Sequence, residues 1–278
     1  MGRVLAISSQ VARGHVGLSA IVPALQKLRH DVIALPTILL SNHPGHRSAT
    51  GEQVSPDLLA RMLDALDANG WLGGIDAILT GYLPSAAHVR FAADAIRRVR
   101  QHVGHVRVLV DPVLGDEPKG LYINADAAAL IRDDLIALAD VATPNAFELS
   151  WLTPVSVANG REAVQAANLL KPRRILATSV PAADGVLSNI LVDKTSNEIF
   201  SASVSHRGKV PNGTGDLMAA LYLGHDLGRP QGRPSEAFAL AVAGVDAAIA
   251  ASLGQDELAL VASPAAWADP APWPLQKL

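Results

Sequence analysis

Cysteine is absent from the 278 residues. That excludes disulfides and Cys-based zinc sites and points to a cytosolic enzyme. No block of Lys and Arg is present, and the net charge is −3. A nucleic-acid binder needs a positive footprint, so that class is set aside. The N-terminus lacks a signal peptide, because the apolar run Val4–Ile7 is short and meets Ser8-Ser9-Gln10. The most apolar stretch, Ala237–Ala251, carries Asp246 and falls short of the roughly 20 residues of a membrane span. It reads as a buried helix.

What is present is core-forming sequence: 49% hydrophobic and 18% charged residues exclude a disordered chain. The length allows one large α/β domain or two smaller ones. No linker, low-complexity segment or repeat divides it, so a single domain over 1–278 is expected.

Apolar, β-branched runs alternate with helical patterns. Strands are expected at Val4–Ser9, Asp31–Ser41, Ala77–Tyr82, Val106–Val110, Val141–Thr143, Arg174–Ser179, Leu187–Asp193 and Glu198–Val204. Helices are expected at Gly17–Leu28, Pro56–Asn69, Pro84–His102, Ala125–Ala137, Gly160–Leu170, Gly215–Leu227 and Pro234–Leu253. This alternation implies an α/β fold in three layers, a mainly parallel sheet with helices on both faces. The polar turn Lys194–Asn197 between the last two strands predicts an antiparallel hairpin. Pro264–Pro274 reads as a tail wrapping the surface, anchored by Trp267 and Trp273.

Ligands of open α/β sheets bind beyond the carboxyl ends of the strands. Those ends carry Ser8-Ser9, Ser41-Asn42-His43 with His46, Thr80-Gly81-Tyr82, Asp111-Pro112, Thr143-Pro144-Asn145 with Glu148, and Thr178-Ser179. Hydroxyls, carboxylates and an amide converge, with no acyl-transfer triad. In "VDPVLGDEPKG", Asp111 and Asp116 would carry Mg²⁺ beside a nucleotide, often through water. A simple turn explains the same residues. In "TPNAFE", Asn145 and Glu148 form the pattern of a capping box. The competing reading sets them on metal-bound water and phosphate. His102 and His105 read as solvated, because the ligand set of a metal site is missing.

"NGTGD" is neither a Walker A loop nor a Rossmann fingerprint. It is a glycine-bracketed turn feeding a helix N-terminus, where free N–H groups and the helix dipole favour anions. Such a turn can stabilise charge on a transferring phosphoryl group, with Asp216 beside it as a base. A capped helix with Asp at its favourable end remains the alternative.

Taken together, "AISSQVARGHVG", "LLSNHPGH", "TGY", "DPVLGD", "LADVATPNAFE", "ATS", "GTGDLMAALYLG" and "DELALVAS" resemble, in order and over essentially the whole chain, the ribokinase superfamily. "SNH" and the "S-x-V-x-R-G-H-V-G" pattern resemble its vitamin B6 branch, the pyridoxal kinases. The resemblance implies ATP-dependent phosphorylation of the 5′-hydroxymethyl group of pyridoxal, with Mg²⁺, in a homodimer; it leaves a K⁺ requirement open. It implies Asp216 as catalytic base and the Gly213-Thr214-Gly215 backbone as anion hole. Ser9, Val16, His43, Pro44 and Tyr82 would line the B6 pocket. Asp111, Asp116 and Glu148 would serve Mg²⁺. Thr143, Asn145, Thr178 and Ser179 would join Gly213 and Thr214 at the ATP phosphates, under a flap of Gly115–Asn124 with Tyr122.

The chain departs from the family pattern at Pro44, where a threonine hydroxyl usually contacts the pyridine ring. Pro44 has neither hydroxyl nor N–H. Gln10 replaces a frequent histidine, and Asn212 a usual apolar residue. Kinases of the same fold acting on hydroxymethylpyrimidine, pyridoxine or pyridoxamine are the nearest alternatives. A non-catalytic B6- or nucleotide-binding sensor is the alternative of another class, and it would have no need of Asp216. A nicotinamide-dependent oxidoreductase lacks its fingerprint.

Overall fold

The computed structural model describes residues 1–183, 185–229 and 233–278. In chain order the elements begin β1 (Arg3–Val11), α1 (Leu18–Lys27), β2 (Asp31–Leu40), β3 (Gly51–Gln53), α2 (Pro56–Ala68), β4 (Ala77–Thr80) and α3 (Ala86–Val103). The middle of the chain forms β5 (Arg107–Val110), β6 (Gly115–Asp116), β7 (Gly120–Leu121), α4 (Ala125–Leu130), β8 (Val141–Ala142), α5 (Ala146–Leu152) and α6 (Gly160–Leu169). It ends with β9 (Arg174–Pro181), β10 (Val186–Asp193), β11 (Glu198–Ser205), α7 (Thr214–Gly228), α8 (Pro234–Ala251), α9 (Pro264–Ala268) and β12 (Gln276–Lys277).

One ten-stranded sheet has the order β12-β11-β10-β9-β8-β5-β4-β1-β2-β3. From β9 across to β2 the strands are parallel. The expected hairpin β10–β11 is antiparallel and extends the sheet beyond β9. Strand β1 lies between β2 and β4, so successive connections leave it in opposite directions. That reversal opens a crevice at the carboxyl ends of β1 and β4.

Side chains alternate across each strand, so a strand buried on both faces feeds two cores. Leu5, Ile7, Val108, Val110 and Ile175 face the core under α2, α3 and α6. Val4, Ala6, Leu109, Val141 and Leu176 face the core under α1, α7 and α8. This is why the strands read as continuous apolar runs.

In detail the structure refines some of these expectations and bears out others. The helix expected over Ala125–Ala137 is helical throughout, but only to Leu130 as an α-helix; it widens to a π-helix over Ile131–Leu135 and tightens to a 3-10 turn at Ile136–Leu138. Strand β3 adds an antiparallel edge beyond β2 that its exposed sequence, Gly51-Glu52-Gln53, did not signal. Helix α8 is long and apolar enough to cross a membrane by composition. Its Phe238, Ala241, Val242 and Val245 pack in the second core, as expected of a buried helix. The Pro-rich tail contains α9, with Trp267 buried and its Nε1 donating to Leu260 O at 2.8 Å. Trp273 Nε1 donates to Ser203 O at 3.1 Å, so both tryptophans do anchor the tail. His102 is not purely solvated: its Nε2 lies 2.9 Å from an Asp67 oxygen.

Candidate active site

The turn before α7 is shaped by a close approach. Gly213 has φ 99°, and a Cβ there would lie 1.9 Å from His15 O and 3.2 Å from Val16 Cγ1. Only glycine fits both the backbone and the neighbour. Gly215 is different: a Cβ there would meet nothing nearer than Asp111 Oδ2, at 3.9 Å. No internal packing demands glycine at that exposed position, and the space in front of it faces the Asp111 carboxylate. Helix α7 has no side-chain cap, so its first amides point into that space. The structure thereby separates two roles that the motif alone ran together.

Asp216 stands in the first turn of α7, half-buried. Burial pushes its carboxyl up to about 6, partly opposed by hydrogen bonds from the Gly17 amide and its own amide. Gly81, after β4, lets it approach: a Cβ there would lie 2.5 Å from Ser8 Oγ and 3.7 Å from Asp216 Oδ1. Ser8 is fully buried, and its Oγ accepts from Tyr82 N at 3.1 Å. Ser8 and Gly81 therefore belong to this crevice, although only Ser9 and Tyr82 were singled out from the sequence. The available signal was the doubled serine, Ser8-Ser9, in the last part of β1. Ser9 meets the start of α1, where a Cβ on Gly17 would come 2.2 Å from its carbonyl. Thus Ser9, Val16, Tyr82, Gly213–Gly215 and Asp216 are brought together.

Across the crevice, Asp111 directly follows β5 and is buried. Thr143 Oγ1 donates to Asp111 Oδ1 at 2.9 Å. Desolvation first, then the Glu148 and Asp216 charges, push the Asp111 carboxyl well above the usual range. The capping box on α5 is real: Asn145 Oδ1 accepts from Glu148 N, and Glu148 Oε2 accepts from Asn145 N, each at 2.9 Å. Glu148 does more than cap. Its Oε1 accepts from Leu114 N at 2.8 Å, and Asn145 Nδ2 donates to Gly115 O at 2.9 Å. The pair pins the 111–116 loop, which turns at Val113 with φ 45°, a strained value for a β-branched residue. Burial pushes the Glu148 carboxyl up to about 7. Thr178 joins this side, its N donating to Pro144 O at 2.9 Å. Ser179 follows with φ 54°.

Strands β6 and β7 form a small hairpin within the 115–124 segment. Tyr122 leaves it half-exposed, its phenol pushed up by burial and by Asp116. Lys119 lies 3.7 Å from Asp116 and near enough to His43 to depress its imidazole, after burial. His43 Nδ1 accepts from Gly45 N at 3.0 Å, and a Cβ on Gly45 would lie 3.4 Å from Asn212 Nδ2. The loop carrying His43 and Pro44 therefore approaches Asn212, just before the glycine turn. Pro44 itself is exposed.

Among the described residues, no three His, Asp or Glu side chains converge tightly enough to hold an ion by direct ligation. Asp116 Oδ1 is nevertheless buried with no hydrogen-bond partner among them, and Asp111, Glu148 and Asp216 are like-charged neighbours. An unpartnered carboxylate oxygen beside like-charged neighbours fits a hydrated divalent cation, which keeps water between itself and most of its protein ligands.

What the fold and this crevice define first is a class, the ribokinase-like kinases of small molecules. The family model described as phosphomethylpyrimidine kinase matches residues 17–259. The pyridoxal kinase PdxY of Deinococcus radiodurans is 35% identical over 94% of this chain and 91% of its own length. A pyridoxine/pyridoxal/pyridoxamine kinase of Bordetella pertussis is 33% identical over 86% of each. The solved pyridoxal kinase of Leishmania donovani, in complex with ADP and pyridoxamine, is 29% identical with TM-score 0.91 over 99% of both chains. The chain belongs to this family, in its pyridoxal kinase branch.

Proposed function

We propose that this protein transfers the γ-phosphoryl group of ATP to the 5′-hydroxymethyl group of pyridoxal, as one kinase domain spanning 1–278. The observation that carries the reading is the pairing of an uncapped glycine turn with a carboxylate, Asp216, held by backbone amides at the switch point of the sheet. Phosphoryl transfer is mostly positioning and charge stabilisation. An alcohol is far less acidic than a carboxylic acid even at about 6, so Asp216 orients the hydroxyl and accepts its proton late, as the bond to phosphorus forms. The amides of Gly213–Gly215 meet the charge spreading over the transferring group.

Ser9, Val16, His43, Pro44 and Tyr82 form the vitamer side. Thr143, Asn145, Thr178 and Ser179 serve the nucleotide side, with Tyr122 over it. Mg²⁺ would be held through water by Asp111, Asp116 and Glu148 and would neutralise phosphate charge. A homodimer in the cytoplasm completes the reading, on the family resemblance.

A coupled assay with ATP, Mg²⁺ and a panel of pyridoxal, pyridoxine, pyridoxamine and hydroxymethylpyrimidine, with and without K⁺, tests it. Turnover highest with pyridoxal is expected. Preference for hydroxymethylpyrimidine would move the substrate elsewhere in the fold class. No ADP release with any of them would favour a sensor.

A further inference from the structure

Glu257 lies far along the chain from the substrate loops, yet its carboxylate reaches two of them. Glu257 Oε1 is 2.9 Å from His46 Nε2, with side chains 19% and 31% exposed. Its Oε2 faces Gly14, where a Cβ would lie 2.3 Å away and φ is 100°. The two loops already hold each other: Ala12 N donates to Leu40 O at 2.8 Å and Arg13 N to Ser41 O at 2.9 Å. Inside the second loop, His46 N donates to His43 O at 3.2 Å. Fixing His46 therefore fixes the turn that carries His43 and Pro44.

Glu257 itself stands on a rigid post. Leu258 and Leu260 are buried, and Ala259 N donates to buried Ser252 Oγ at 2.8 Å. A partly exposed pair of this kind adds little to global stability. It can still govern a loop, because loops occupy the low end of the local-stability range.

We propose that Glu257 is a positioning residue: acting through His46, it holds the 41–50 loop, with His43 and Pro44, against the 12–17 loop and over the substrate pocket. The proposal rests on the vitamer reading of that pocket. Its test uses Glu257→Gln, Glu257→Ala, His46→Ala and the double alanine variant of the full chain. Glu257→Gln keeps the shape should an alanine variant fold poorly. Each single substitution should raise KM for pyridoxal about fivefold, the most such a pair commonly carries. KM for ATP and the unfolding midpoint should stay put.

The double variant should be no worse than either single one, as expected when one residue acts through the other. Backbone amides of 42–46 should exchange faster in the ligand-free variants. Unchanged KM for pyridoxal, effects that multiply in the double variant, or KM for ATP rising in parallel would each overturn the proposal. If the wild type does not phosphorylate pyridoxal, the vitamer reading fails; the exchange measurement still decides whether Glu257 holds the loop.

Discussion

At the amino ends of the strands, Asp226 accepts from Arg107 and lies 3.3 Å from Arg174, which also faces Asp193 at 3.6 Å. At the carboxyl ends, Asp111 lies beside Glu148 and Asp216 instead, and all three are pushed up by burial. Both edges bury carboxylates. One edge supplies arginines from β5 and β9; the other supplies backbone amides and a hydroxyl. Burying charge is costly unless it is paired. On the proposed reading, the edge that leaves the cost standing keeps its carboxylates for the metal and the substrate.

The sharpest way to break this contrast is to neutralise one carboxylate on each edge. Asp216→Asn should lower turnover by about 10²–10⁴-fold, the range of a general base, while ATP binding survives. Near wild-type turnover would remove Asp216 from the chemistry. Gly215→Val should fold, since no neighbour crowds the position, and should block the phosphates. Normal activity there would refute the anion turn.

The same change on the other edge should act on stability. Asp226→Asn leaves two arginines facing a neutral amide and should cost about 2–3 kcal/mol in denaturant unfolding. That is below the full penalty of a buried pair, because Arg107 and Arg174 are 29% and 20% exposed. Turnover at permissive temperature should persist. Unchanged stability would mean that water already satisfies the arginines.

The two edges were not equally legible in the sequence. The apolar runs and the Lys194–Asn197 turn carried the sheet and its hairpin, because period and turn chemistry are local properties. The polar residues at the carboxyl ends were legible because a parallel sheet must gather them on one side. The Arg107–Asp226–Arg174 network was not, since it joins residues up to 119 apart by packing alone. Ser8 and Gly81 were placed at the strand ends but given no role for a related reason: Ser8 accepts from Tyr82 N and Gly81 leaves room for Asp216, and no spacing encodes either. The capping box at Asn145 and Glu148 shows that two readings can hold together, a cap that also pins the loop of Asp111.

A pH profile sharpens the contrast further. The Asp216 carboxyl, raised to about 6, must be ionised to accept a proton. The profile of kcat/KM for pyridoxal reports groups on the free enzyme. It should fall about tenfold per pH unit below about 6 and be level above, until other groups titrate. In Asp216→Asn this limb should vanish from the residual activity. A limb near 4 instead would mean that water solvates Asp216 fully.

The smallest effect discriminates most finely, because it reverses sign between the edges. A carboxyl raised by folding costs nothing at low pH, where folded and unfolded chains are both protonated. The cost appears as pH rises past about 4, where the unfolded carboxyl ionises, and is complete once the folded one has ionised. Asp111 is such a group, raised by burial and by Glu148 and Asp216. Asp111→Asn keeps an oxygen for Thr143 Oγ1 and removes a like charge. It should therefore stabilise the ligand-free protein at pH 7.5, by about 1 kcal/mol, a typical gain where function had kept strain. The gain should shrink toward pH 4. Added Mg²⁺ should raise the melting temperature of the wild type more than that of the variant, and so narrow or invert the difference. If Asp111→Asn is less stable at every pH, Asp111 is structural, as Asp226 is, and the contrast between the edges fails at its centre.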